Sequence, residues 1–178
     1  ENAKGDWQPL KDHLQNVAAL AKKFAEEARP GDAEFAGAAH SAGLLHDLGK
    51  YSLRFQQRLK DNRVSAIEHW VPGSTILLKK RMVYSAYSAF AHHVGLLNAS
   101  EMHETISAPQ TAAIPETLEQ LECLFSQEFV EFPTAIKLGE KLSDTQRTLL
   151  TRTMFSCLVD ADFLDTEQHF DPEEAVFR

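Results

Sequence analysis

The stretch HSAGLLHDLGK, residues 40–50, decides how the chain is read. It closes a helical run that starts near Ala33. Phe35, Ala38, Ala39, Ala42 and Leu45 recur there at helical spacing and line one face. The run is expected to stop near Gly49. Within it, His46 and Asp47 stand between Leu44-Leu45 and Leu48, where a core belongs. Burying an imidazole and a carboxylate there costs several kcal/mol unless something satisfies them. A metal ion satisfies both, because neutral imidazole and ionised carboxylate are good ligands for divalent cations.

Outward from this stretch the period stays helical. Upstream, Leu10, Leu14, Val17, Ala18, Ala21, Phe24 and Ala25 predict a helix from Leu10 to Ala28, closed by Arg29-Pro30-Gly31-Asp32. Downstream, Leu53, Phe55 and Leu59 mark a short helix. Pro72-Gly73 opens another, expected to bend near Tyr84, run on to His93 and stop at Gly95. Residues 98–116 read as loop, with Pro109 and Pro115. Helix resumes near Glu116 with Leu118, Leu121 and Phe125, and Pro133 interrupts it. Ser143-Asp144-Thr145-Gln146 reads as a capping box. The helix it opens carries Leu149, Leu150, Thr153, Phe155, Leu158 and Val159 and is expected to end near Glu167. No alternating strand pattern reaches useful length, so the expected fold is all-α, with six to eight helices in a single domain over 1–178.

Composition agrees with one globular domain: 178 residues, 43% hydrophobic and 25% charged. No run of about 18 apolar residues occurs, so no membrane-spanning segment is expected. Cys123 and Cys157 form no CxxC pair and suggest no disulfide framework, which makes a reducing cytoplasm the expected location. The formal charge of −8 excludes a protein that wraps nucleic acid by bulk charge. Any contact with nucleic acid must come from local patches, bound metal or a partner. The chain begins ENAKGDWQPL, without Met, and is expected to be a processed product or a fragment.

Other polar residues share the anomaly of His46-Asp47. His13 lies four residues before Val17, on the buried edge of the first helix. His92-His93 ends an apolar run, and Asp162 follows Leu158 by four residues. His69 sits in the turn-like EHWVPGS, 68–74. A lone buried His is more often a hydrogen-bonded core residue, and that reading fits His40, His103 and His169. A structural zinc site would use cysteines or just four ligands. Five imidazoles and two carboxylates exceed one four-coordinate ion. They suit two ions sharing a carboxylate, with Asp47 as the natural bridge. Such a pair activates water and clamps a phosphate in in-line displacement. Lys50, three residues after Asp47, is either a cation for phosphate oxygens or a solvated charge at a helix end. Asp160 and Asp162 face different sides of one helix, so one of them is a ligand. Asp165 and Glu167 read as surface charges.

Together these segments resemble the HD superfamily of metal-dependent phosphohydrolases. They are closer to one branch, the HD nuclease domain of the helicase–nuclease from type I CRISPR systems. WQPLKDHLQNVAALA (7–21) is similar to the opening helix with its first ligand, His13. GLLHDLGKYSLRFQQRL (43–59) is similar to the core motif, with its Phe-Gln run, and AFAHHVGLL (89–97) to the paired-His motif. EHWVPGS (68–74) resembles the segment of the third ligand, with Trp70 where the family often has Ser. CLVDADFLDTE (157–167) resembles the closing helix and puts the family's aspartate at Asp162.

The resemblance implies an HD-domain helical bundle that cuts single-stranded DNA exposed by a guide-RNA surveillance complex in antiviral defence. It also implies an ATP-driven, superfamily 2-type helicase, in cis or in trans. No GxxxxGK[ST] and no Asp-Glu-x-His occurs here. The chain is therefore expected to be a stand-alone nuclease subunit or the N-terminal part of a longer protein, with 168–178 starting a linker. Imidazole-rich ligation favours two divalent transition ions, Mn, Fe, Co or Ni over Mg. The alternatives are an HD-type nucleotidase or cyclic-nucleotide phosphodiesterase, and a non-catalytic, metal-stabilised docking module.

Overall fold

Caps and apolar stripes set the elements. The computed structural model describes residues 7–170 apart from 62, 66, 108–113, 115, 131, 135, 137, 139 and 140. Among them are α1 (Leu10–Ala28), α2 (Ala33–Leu45), α3 (Leu53–Lys60), α4 (Val71–Lys79), α5 (Val83–Val94), α6 (Ala99–Ser107), α7 (Leu118–Glu128) and α8 (Asp144–Phe170). A 3₁₀ turn, Leu48–Tyr51, separates α2 from α3, and no strand occurs among the described residues. The fold is an all-α bundle. Asp32 starts α2 by accepting from the Phe35 N–H at 3.0 Å. The expected capping box at α8 forms: Ser143 Oγ accepts from Gln146 N–H and Gln146 Oε1 from Ser143 N–H.

Two apolar clusters hold the bundle. Val17, Ala21, Phe35, Ala42, Met154 and Leu158 join α1, α2 and α8, all fully buried. Leu14, Leu45, Leu77, Ala86 and Phe125 join α1, α2, α4, α5 and α7. Each such Leu or Phe stabilises the fold by roughly 1.5–3 kcal/mol. Close approaches then set the spacing. A Cβ on Gly43 would stand 2.6 Å from Ala18 Cα, so α1 and α2 touch at backbone level. A Cβ on Gly73 would collide with the Leu45 carbonyl, which seats α4 on the end of α2. These contacts bring the segments carrying His13, His46 and His69 to one end of the bundle.

The structure departs from the expected boundaries in four places. First, α2 ends at Leu45, not near Gly49. A continuing helix would bond the Gly49 N–H to Leu45; instead it donates to the His69 carbonyl at 2.9 Å. Second, the chain does not bend at Tyr84 but breaks between α4 and α5. Met82 N–H donates to Leu77 O at 2.9 Å, Arg81 N–H to Leu78 O at 2.8 Å, and Arg81 has φ +61°. This is a Schellman stop with Arg where Gly is usual, which hides it from a residue-type reading.

Third, α6 forms where loop was expected. Asn98 Oδ1 accepts from the Glu101 N–H at 3.0 Å. Met102 and Ile106, four residues apart, bury against Phe90 and Ala91. Pro109 and Pro115 lie outside the described residues. Fourth, α8 runs past Glu167 to Phe170, so 168–170 is helix. Residues 171–178 lie outside the described part.

Candidate metal centre

Asp47 sits where five segments meet, 1% exposed. α1 brings His13, the end of α2 brings His46, the turn before α4 brings His69, α5 brings His92 and His93, and α8 brings Asp162. The two oxygens of Asp47 face different partners. Oδ2 lies 3.4 Å from His13 Nε2 and 3.2 Å from His46 Nε2. Oδ1 lies 3.1 Å from His69 Nε2, 3.6 Å from His92 Nε2 and 4.0 Å from His93 Nε2. Asp162 Oδ1 approaches His13 Nε2 at 3.5 Å and His46 Nε2 at 3.7 Å. Three donor sets form, each within 4.8 Å: Asp47 with His69, His92 and His93; His13 with His46 and Asp47; His46 with His92 and Asp162.

The rings are aimed from behind. His46 Nδ1–H donates to Gly43 O at 2.7 Å, His92 Nδ1–H to Ala89 O at 2.6 Å, and His69 Nδ1–H to Ile67 O at 3.1 Å. A carbonyl only accepts, so Nδ1 carries a proton and Nε2 is the ring atom turned to the centre. In each case the carbonyl lies two or three residues back, so the local turn itself aims the ring. His69 Nε2 and His93 Nε2 face each other at 2.8 Å.

The donor chemistry fits divalent ions. His13 Nε2, His46 Nε2, His92 Nε2 and Asp47 Oδ1 are buried without a hydrogen-bond partner. Each such atom costs about 1–3 kcal/mol when left unsatisfied. Four of them gathered at one buried carboxylate, with the rings already bonded from behind, is the arrangement a cation stabilises.

Charge is distributed unevenly. Burial opposes a proton on His46, but the facing Asp47 and Asp162 carboxylates outweigh it and hold its pKa at about 10. Burial likewise pushes Asp47 up, yet His46 and Lys50 bring it well below the ordinary carboxylate range. Asp162 is also opposed by burial, and His46 draws it down to about 2. His93 goes the other way: burial, then His92 and His69, push it down to about 4. Lys50 reaches in from the 3₁₀ turn and pairs with Asp47 Oδ2, its side chain 26% exposed.

One supporting residue was not anticipated. Asp165 is 3% exposed, not a surface charge. Its Oδ2 accepts from His13 Nδ1–H at 2.7 Å and Gln8 Nε2 at 2.7 Å, and its Oδ1 from Asn16 Nδ2 at 2.8 Å. The three-residue step from Asp162 puts both carboxylates on one face of α8, and that spacing was the available signal. Asp160 is exposed and Glu167 half-buried. His40, His103 and His169 are outside the cluster.

A family model of the HD domain matches residues 10–143. The chain belongs to the HD domain family. The family is one of metal-dependent phosphohydrolases that bind divalent metals. The matched part of this HD domain contains His13, His46, Asp47, Lys50, His69, His92 and His93; Asp162 and Asp165 come from α8, beyond it. No helix among the described residues is long and apolar enough to cross a membrane.

Proposed function

We propose that this HD domain is a nuclease that hydrolyses phosphodiester bonds of single-stranded DNA in type I CRISPR interference. The observation that carries the reading is Asp47, one buried carboxylate whose two oxygens face two sets of imidazoles. His13, His46, Asp47 and Asp162 would hold one divalent ion. Asp47, His69, His92 and His93 would hold the other, with Mn, Fe, Co or Ni favoured over Mg. Bound there, such ions lower the pKa of water and offset charge on phosphate oxygens.

The chain's own residues do the rest. Asp165 and the Gly43, Ala89 and Ile67 carbonyls fix the rings. Lys50 brings a cation to the mouth, where phosphate charge grows in the transition state. Side-chain exposure of 39% at His93 and 27% at Asp162 leaves a side by which a polymer can lie. The DNA branch is supported by the motif resemblance from residue 7 to 167. On the same basis a superfamily 2-type helicase, in cis or in trans, and a guide-RNA surveillance complex would supply the strand in the cytoplasm.

The test is circular single-stranded DNA, offered to chelated protein after adding back Mn, Co, Ni or Mg separately, with Asp47→Asn alongside. The Asn variant keeps shape and removes the shared charge. Metal-dependent opening of the circle, absent in the variant, is expected. An intact circle together with hydrolysis of a free nucleotide would overturn the DNA reading in favour of a nucleotidase. A metal-loaded but inert protein would favour a docking module.

A further inference from the structure

A second feature stands apart from the metal centre, at the other end of the α5–α8 seam. A cavity of about 1020 Å³ opens there, lined by Arg81, Arg147 and Arg152 together with Tyr84, Tyr87 and Asn98. No Asp or Glu is among its described lining residues. In a chain of net charge −8, three arginines around one hollow are a local reversal of sign. All three are exposed. Arg81 and Arg152 make no ion pair among the described residues, while Arg147 donates Nε–H to Leu142 O at 3.0 Å. Arg81 is held at the rim by the Schellman stop, in the left-handed region at φ +61°. Two half-buried tyrosines stand beside the arginines. Guanidinium groups bind phosphate oxygens in pairs, and aromatic rings stack on bases.

The cavity lies in line with the centre. Along α8, Thr151 and Asp162 are eleven residues apart, close to three helical turns, so they share a face, about 16 Å apart at 1.5 Å per residue. Along α5, Tyr84 and His92 are eight residues apart, about 12 Å. Ser85 and Met154, in contact at 3.7 Å, tie the two helices together between these points.

We infer that the arginine-lined cavity between α5 and α8 holds the phosphate backbone of single-stranded nucleic acid at a distance from the metal centre. This deepens the nuclease reading and rests on it. The arginines would grip the strand while the centre acts on a bond beyond them. It also answers how an acidic protein holds a polyanion: the cations are gathered at one place.

The test uses Arg81→Gly/Arg152→Gln. Glycine suits the positive φ at 81 and Gln suits a helix, so the fold is kept. On an Asp47→Asn background, where the strand is not consumed, fluorescent oligo-dT binding is measured against salt. The double variant is expected to bind at least about tenfold more weakly, with a salt slope smaller by about 1 per arginine removed. In the active, Mn-loaded protein the KM for the strand should rise. Hydrolysis of bis(p-nitrophenyl) phosphate, too short to reach the cavity, should stay the same. Arg152→Lys, which keeps a cation, should recover part of the binding.

Equal strand KM and equal salt slope in both proteins, with the strand still cut, overturn the inference and leave the nuclease reading standing. Wild-type protein that binds polyglutamate as tightly as oligo-dT overturns it in favour of an acidic protein partner. Protein that hydrolyses nucleotides but neither binds nor cuts a strand fails the nuclease reading, and the inference falls with it.

Discussion

Around Asp47, the His13 and His46 rings are closed off and the His93 ring is open to solvent. His13 and His46 have side chains 8% and 0% exposed and His92 1%, against 12% for His69 and 39% for His93. The closed rings are bonded from behind, His13 to Asp165 and His46 to the Gly43 carbonyl. His93 instead leans on its neighbours, with ring centroids 4.7 Å from both His69 and Trp70. The carboxylates hold His46 up at about 10, whereas burial and the adjacent imidazoles push His93 down to about 4. One side is built to hold charge in place, and the other to meet what arrives from solvent.

The largest effect should come from the residue both sides share. Asp47→Asn should take turnover to background, more than the 10–100-fold that loss of a supporting residue costs. If one side kept its ion and its activity in that variant, the shared-carboxylate account would break. The next test separates the sides by stability. His46→Ala leaves Asp47 buried without a main partner and should cost about 3–5 kcal/mol in urea unfolding. His93→Ala should stay within about 0.5 kcal/mol, as exposed positions do, while still lowering turnover. Equal costs would erase the distinction.

Support from behind is tested next. Asp165→Asn should lower metal affinity or turnover about 10–100-fold, and Asp160→Asn should leave both unchanged. The smallest effect is a proton count. His46, with its pKa raised to about 10, keeps its proton at pH 8, and a metal must displace it. Calorimetry in buffers of different ionisation heat should show at least one proton released per chain. Metal affinity should therefore rise with pH. In chelated protein, the stability His46 contributes is present below its unfolded pKa and is lost as pH rises towards 10. No proton release would mean that the carboxylates do not hold His46 charged.

The same contrast marks what could be read from residues alone. α1 was legible to both ends because a long apolar stripe and a Pro-Gly turn bound it. α8 announced its start through a Ser–Gln capping box. His46 and Asp47 stood out because they interrupt leucines. α6 did not stand out, since among the described side chains of its short span only Met102 and Ile106 are buried. The stop at Arg81 was invisible because its evidence is a positive φ and two backbone bonds, neither tied to Arg as a residue type. Asp165 reads as a surface charge in the sequence because a carboxylate near a helix end resembles a solvated one; only the fold puts His13, Gln8 and Asn16 around it. That His69 stands beside Asp47 depends on the close contact of Gly49 with the His69 backbone, between segments twenty residues apart in sequence.

The most direct measurement is the number of Mn ions bound per chain at equilibrium, by dialysis and elemental analysis, in wild-type protein and in Asp47→Asn. Two ions per wild-type chain, with occupancy of both lost together in the variant, is the predicted result. A single ion in the wild type, or two that survive the loss of Asp47, would contradict a centre built on one shared carboxylate.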